Sequence, residues 1–287
     1  MTATTGHMPV TQTAPDEMKD GGVLLPTLTL WRREMVRFVR QRNRVVSALL
    51  TPLVFWLLLG LGLNDSFNAA MALGPNAAGA RPIGYLEYFF PGTLAMVLLF
   101  TAIFSTISVI EDRREGFMQG VLAAPAPRLA IVLGKVLGGA SLATIQAGLL
   151  LALWPIVGHF HNPASFGLAV AVMFVLAMGM TGLGLCLAWP MDSTAGFHAV
   201  MNLVLLPMWF LSGAVFPVAG PIGLRAMMYL NPMTYGVAAL RWALTGDNSH
   251  GVPGVPIAAT LGLLVLFTIA VIVFAVLIVR RPRKDGT

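Results

Sequence analysis

Residues 136–191 read VLGGASLATIQAGLLLALWPIVGHFHNPASFGLAVAVMFVLAMGMTGLGLCLAWPM, a run without one Asp, Glu, Lys or Arg. A helix needs about 20 mostly apolar residues to cross roughly 30 Å of hydrocarbon, so this run suffices for two crossings. Its one polar break is Gly158-His159-Phe160-His161-Asn162-Pro163, which reads as a short loop between two spans. The same criterion applied outward selects windows at Val46–Leu63, Phe89–Ile110, Val136–Val157, Phe166–Trp189, Phe197–Pro217 and Ile257–Val279. None of these contains a charged residue, each of which costs about 2.5–3.5 kcal/mol at mid-membrane. The reading is an all-α membrane protein with six transmembrane helices.

Composition excludes the alternatives. The 287 residues are 57% hydrophobic and 10% charged, whereas soluble domains average about 25% charged. Disordered chains are poor in apolar residues, which removes that class. One cysteine, Cys186, removes a disulfide scaffold.

Orientation follows from the cations. Counting six spans, only Arg81, Arg225 and Arg241 of the 18 Lys and Arg residues fall on the side away from the termini. The positive-inside bias therefore predicts a multi-pass protein of the cytoplasmic (inner) membrane, with both termini cytoplasmic. The net charge of +6 reads as topology and contact with anionic membrane lipids, with no nucleic acid implied. The expected organisation is a disordered cytoplasmic tail over 1–26, an amphipathic helix over 27–45, the six-span domain over 46–280 and a basic tail over 281–287. The tail at 1–26 lacks the apolar core of a cleavable signal.

Three segments outside the spans carry pattern. On a helix over Leu28–Val46, Leu28, Trp31, Met35, Phe38 and Val39 share one side, and Arg33, Arg37, Arg40 and Arg44 another. Such a helix is expected to lie flat in the interface with its arginines among headgroups, as a topology anchor or as a connector to a partner. The loop after the second window opens with Glu111-Asp112-Arg113-Arg114-Glu115-Gly116 and continues as a short amphipathic stretch with Phe117, Met118, Val121 and Leu122. Pro125 and Pro127 stop it before Arg128. It is longer than a turn requires, and reads as a short helix presented below the membrane or as a solvated loop. The stretch 218–256 is semi-apolar and too interrupted to span. Two short helices broken at Asn231-Pro232 fit it, entering the outer leaflet only where protein or water satisfies their backbone.

At these places the chain resembles the type-2 ABC exporter permease family, whose members carry drugs such as daunorubicin, nodulation lipo-oligosaccharides and surface glycans. The resemblance rests on Arg114-Glu115-Gly116, Pro125-Ala126-Pro127-Arg128 and Leu133-Gly134-Lys135, on 211–217 (LSGAVFP), and on Asn231-Pro232-Met233-Thr234-Tyr235 with Arg241. It implies a half-transporter that pairs with a second permease copy, a homodimer or a close relative, and with two separate ATP-binding subunits. The ATPase-coupling helix would be Glu111 to Leu122, followed by Arg128, and the connecting helix would carry Trp31, Arg33, Arg37, Arg40 and Arg44. Asn231, Pro232, Tyr235 and Arg241 would belong to re-entrant outer helices. The substrate path would run along spans two and five, past Phe100, Phe104 and Asn202 to an outer gate at Trp209, Phe210, Ser212 and Phe216. The cargo class would be an amphiphilic or hydrophobic drug, lipid or glycolipid.

The residues agree that the motor lies elsewhere. A phosphate-cradling P-loop needs Gly-x-x-x-x-Gly-Lys-Ser/Thr. The only Gly-Lys pair, Gly134-Lys135, has Leu129 in place of the first glycine and Val136 in place of the hydroxyl. No cofactor is expected in this chain, since ATP and Mg would be bound by the partner subunit. The spans also lack the buried ionisable groups of an ion-coupled carrier. No metal site is expected, because His159 and His161 have only Asn162 beside them and metal sites need three or four ligands. Two other readings are an intramembrane hydrolase using Ser141 and His198, which would have to meet at one depth, and a non-transporting membrane scaffold.

Overall fold

The computed structural model describes residues 22–39, 42–72, 84–124, 126–158, 160, 162–218, 220–247 and 251–280. Among them the chain is helical and free of strands. In chain order the helices are α1 (Leu24–Val39), α2 (Arg42–Gly62), α3 (Asn64–Ala72), α4 (Tyr85–Ser105), α5 (Ile107–Arg114), α6 (Phe117–Ala123), α7 (Arg128–Leu151), α8 (Trp154–Val157), α9 (Ala164–Ala188), α10 (Thr194–Phe210), α11 (Ile222–Leu230), α12 (Pro232–Thr245) and α13 (Ile257–Arg280). Four stretches are long and apolar enough to cross a membrane: Tyr85–Arg114, Arg128–Val157, Ala164–Ala188 and Ile257–Arg280. Two shorter apolar helices, Leu49–Gly62 and Thr194–Phe210, stand where the first and fifth windows lie.

The bundle is built around α4, which is buried along nearly its whole length against α2, α7 and α9. Its partners approach closely because glycines face them. A Cβ on Gly184 would lie 3.0 Å from the Cα of Ile103, and one on Gly139 would overlap Ser105 Oγ. Gly92 is tightest against backbone, where a Cβ would stand 2.9 Å from Ala214 Cα. Gly92→Ala should therefore cost about 1–3 kcal/mol by overpacking, measurable as a lowered unfolding midpoint in detergent. By contrast α13 leaves Leu266, Ile269, Phe274 and Leu277 half-exposed or more, as a lipid-facing helix would.

Several boundaries differ from the sequence reading for local reasons. The five consecutive charges do not end the second helix. After a single turn residue at Thr106 it continues through Glu111–Arg114, because those side chains find ionic or carbonyl partners within the protein. The helix of the third window, α7, starts at Arg128 directly after Pro127, so Lys135 lies two turns inside it. The fifth ends at Phe210, and residues 211–217 leave the helix. Their freed carbonyls are taken up by side chains: Tyr85 Oη donates to Val215 O at 2.8 Å, and Tyr88 Oη to Gly213 O at 3.1 Å. Irregular backbone buried in protein persists only with such partners. The break at Asn231-Pro232 stands where expected. Asn231 Oδ1 accepts the Met233 N–H at 3.0 Å and its Nδ2 donates to Met208 O at 2.6 Å, capping α12 and fixing it to α10. The first helix begins at Leu24, inside the stretch expected as a disordered tail over 1–26; residues 1–21 and 281–287, Arg81, Pro125, His159 and His161 lie outside the described residues.

Candidate functional site

Helix α1 packs along α7, where Leu30 and Glu34 cover Gly134 and Gly138. That contact aims the charged side of α1 at the end of α5. Lys135 Nζ, 4% exposed as a residue, donates to Glu34 Oε1 and Asp112 Oδ2, both at 2.5 Å, and to Ser108 Oγ at 3.1 Å. Arg33 grips Asp112 with both terminal nitrogens, at 2.6 and 2.9 Å. Arg37 donates to Asp112 Oδ1 at 3.0 Å and to Glu111 Oε2 at 2.6 Å. Three cations and three carboxylates thus neutralise one another where α1, α5 and α7 meet. Buried charge is tolerated only with such pairing. The hydrogen bond to Asp112 raises the Arg33 pKa further above its usual value, so Arg33 stays charged at every physiological pH.

This cluster corrects the expected placement of the first helix. Arg33 and Arg37 are not spread among headgroups; they point into the protein, while Leu28 and Val36 are exposed. Trp31 is also held inside, its Nε1–H donating to Ser141 Oγ at 3.1 Å. Arg40 and the Arg44 side chain lie outside what is described.

Beyond Arg114 the chain turns at Glu115-Gly116. Gly116 adopts φ +76°, a left-handed conformation that an L side chain enters only with strain. The turn launches α6 away from α5 and seats Phe117 beneath Arg33, whose guanidinium carbon lies 3.7 Å from the ring centroid. Met118 is buried, anchoring α6, while Gln119 and Gly120 are exposed and Val121 and Leu122 half-buried. On the other flank Arg113 donates to Trp189 O at 2.7 Å and Met191 O at 2.9 Å, and meets Asp192. Arg114 Nε donates to Asp192 O at 3.1 Å. Helix α6 is therefore held from α1 through Phe117, and the end of α5 from which it springs is braced by the loop between α9 and α10.

Above the cluster lies a cavity of about 710 Å³, bounded by α1, α2, α4, α5, α7 and α10. Phe100 and Phe104 line it, stacked at 5.8 Å, with His198 against Phe104 at 5.5 Å. The other residues expected on the path divide. Trp209 is buried and its indole N–H donates to Gly92 O at 2.8 Å, and Ser212 is buried with its hydroxyl on Trp209 O. Phe210 and Phe216 are exposed, and Asn202 faces outward beside Leu203. In α12, Tyr235 Oη donates to Tyr229 O of α11 at 2.7 Å. Arg241 is buried over the Tyr88 ring at 4.2 Å and donates to Gly213 O at 3.1 Å.

Sequence reasoning missed Glu34, Ser108 and Lys135. The available signal was Lys135 itself, since a helix starting at Arg128 buries it and requires an acid nearby. It also missed Gln146, which lines the cavity from α7. The hydrolase pairing finds no support in the geometry. Ser141 Oγ is occupied by Trp31 and His198 packs on Phe104. Ser141→Ala should cost about 1 kcal/mol of stability through the lost hydrogen bond and leave cargo movement unchanged in a vesicle assay. Among the described residues no group of three His, Cys, Asp or Glu could hold a metal ion.

Comparison with known proteins bears on what this arrangement serves. The family described as ABC-2 type transporter matches residues 26–245. The inner membrane transport permease YadH of Escherichia coli K12 is 23% identical over 263 residues, 89% of this chain and 94% of YadH. Nodulation protein J of Rhizobium leguminosarum bv. viciae is 22% identical over 258 residues, 88% of this chain and 93% of that protein. A protein of Cyanophora paradoxa, ycf38, whose name describes a transport permease, is 27% identical over 216 residues, 74% of this chain and 72% of its own length.

Proposed function

The chain belongs to the ABC-2 type transporter family, and on that premise we propose that it is the six-span membrane subunit of an ATP-driven exporter. The observation that carries the reading is helix α6, held at its start by Arg33 over Phe117 and springing from the braced end of α5. It stands on a neutralised ionic joint linking α1, α5 and α7 and exposes Gln119 and Gly120. A short helix held rigidly at the end of a span can pass force into the bundle, which a flexible loop cannot do. The chain has no P-loop of its own, so ATP and Mg would be bound by two partner subunits docking on α6.

In this reading α2 and α10 complete the six spans, both termini are cytoplasmic in the inner membrane, and α11 and α12 dip into the outer leaflet. An amphiphilic or hydrophobic cargo (drug, lipid or glycolipid) leaves along α4 and α10. Homodimer formation is supported by the outer face of α10, where Asn202 is exposed in mid-helix beside Leu203 at 76% exposure. An amide facing lipid is costly, whereas across a helix interface it finds a partner. Leu203→Cys in a Cys186→Ala background should give a disulfide-linked dimer in oxidised membranes, and the ATP-binding subunit should co-purify with the chain. Monomer alone after oxidation would remove α10 from the interface.

A further inference from the structure

Gln146 is 1% exposed. It lies eleven residues beyond Lys135 in α7, about 16 Å further along the helix axis. Its Oε1 accepts the hydroxyl of Thr101 from α4. The Nε2 has no hydrogen-bond partner among the described residues, yet the side chain lines the 710 Å³ cavity. An unmade hydrogen bond at that depth is costly enough to call for a cause. Beside it the wall is aromatic and apolar, formed by Phe55, Phe100, Phe104, Met96 and Leu206. The charged groups at the cavity's lower end are already engaged with one another, Glu34 with Lys135 and Arg37 with Glu111 and Asp112.

We infer that this cavity binds an uncharged aromatic molecule carrying a carbonyl or comparable acceptor, with Gln146 Nε2 donating to that oxygen. Its volume matches the 300–1,000 Å³ of ordinary small-molecule sites, which pair apolar walls with a few placed polar groups. Charge on the buried part of the ligand is disfavoured, because among the described residues no unpaired countercharge faces it. Aromatic rings find Phe100 and Phe104 already stacked at 5.8 Å. The inference rests on reading the chain as an exporter permease and narrows its cargo to this chemistry.

The test uses tritiated benzophenone, a diaryl ketone that is both probe and photolabel, on the purified full chain in nanodiscs. Irradiation should label the segments at 96–107 and 142–146. Unlabelled benzophenone and diphenylmethane, which lacks only the carbonyl oxygen, are then compared as competitors. Sites built to donate to an oxygen discriminate strongly against the analogue lacking it. Preference for the ketone should fall by about 10-fold in Gln146→Met, the partition difference between the competitors cancelling in the comparison with the native chain. Gln146→Leu repeats the comparison if the Met variant is not recovered folded. Absence of label from both segments of the native chain, or a ketone preference unchanged by the substitution, overturns the inference. Neither readout involves nucleotide or a second subunit. Intact labelling without export would thus sink the transport reading alone, and export without labelling would sink this site alone.

Discussion

Lys135→Met should be the most destabilising single change where α1, α5 and α7 meet, by about 3–5 kcal/mol. The ammonium is the shared partner of Glu34 and Asp112 at 2.5 Å each. Its loss leaves two buried carboxylates facing each other with one cation fewer. Asp112 keeps Arg33 and Arg37, so the cost concentrates on Glu34, whose other cation contact is Arg33 at 3.7 Å. Removing both members of the pair is the sharper experiment. The double variant Glu34→Met, Lys135→Met leaves Asp112 paired and fills the α1–α7 contact with apolar atoms. It should recover at least half of the loss, because replacing a buried ion pair by apolar groups is often near neutral. Unfolding midpoints in detergent for the two single variants and the double decide this. A double variant worse than Lys135→Met would mean that the charges act independently.

Val121→Pro should reduce export by more than about 10-fold while leaving membrane insertion and the unfolding midpoint close to native. Within the seven-residue α6, Val121 lies where its amide would close the helix onto Phe117. Proline removes that hydrogen bond and clashes with the preceding turn. Met118 is a less informative position, because it is second in α6, where proline is tolerated, and it is buried. Charge reversal at Arg113 is also ambiguous, since it would release the carbonyls of Trp189 and Met191 as well as any docked subunit. Export in vesicles containing the permease and its ATP-binding subunit, normalised to the amount of inserted protein, gives the readout. Unimpaired export by Val121→Pro would remove α6 from the coupling path.

Much of this was legible in the residues because membranes impose simple rules. Uncharged runs mark the apolar helices, and Asn231-Pro232 marks a break because asparagine caps and proline cannot continue a helix. The ionic cluster was not legible. Glu34 and Lys135 are 101 residues apart, and nothing local distinguishes an arginine that faces headgroups from one that meets Asp112 across the bundle. The same limit applies to the path. Phe100 and Phe104 line the cavity, whereas Trp209, expected at an outer gate, is a buried donor to Gly92 O. Gln146 sat unnoticed within an apolar run, because its meaning depends on the cavity wall opposite.

Nucleotide hydrolysis and cargo movement by the purified chain reconstituted in vesicles, with and without its ATP-binding subunit, bear most directly on the account. The chain alone should hydrolyse ATP no faster than empty vesicles and should move a lipophilic cargo only down its gradient. Adding the subunit should produce outward movement that requires ATP. Hydrolysis, or ATP-driven movement, by the chain alone would contradict the account.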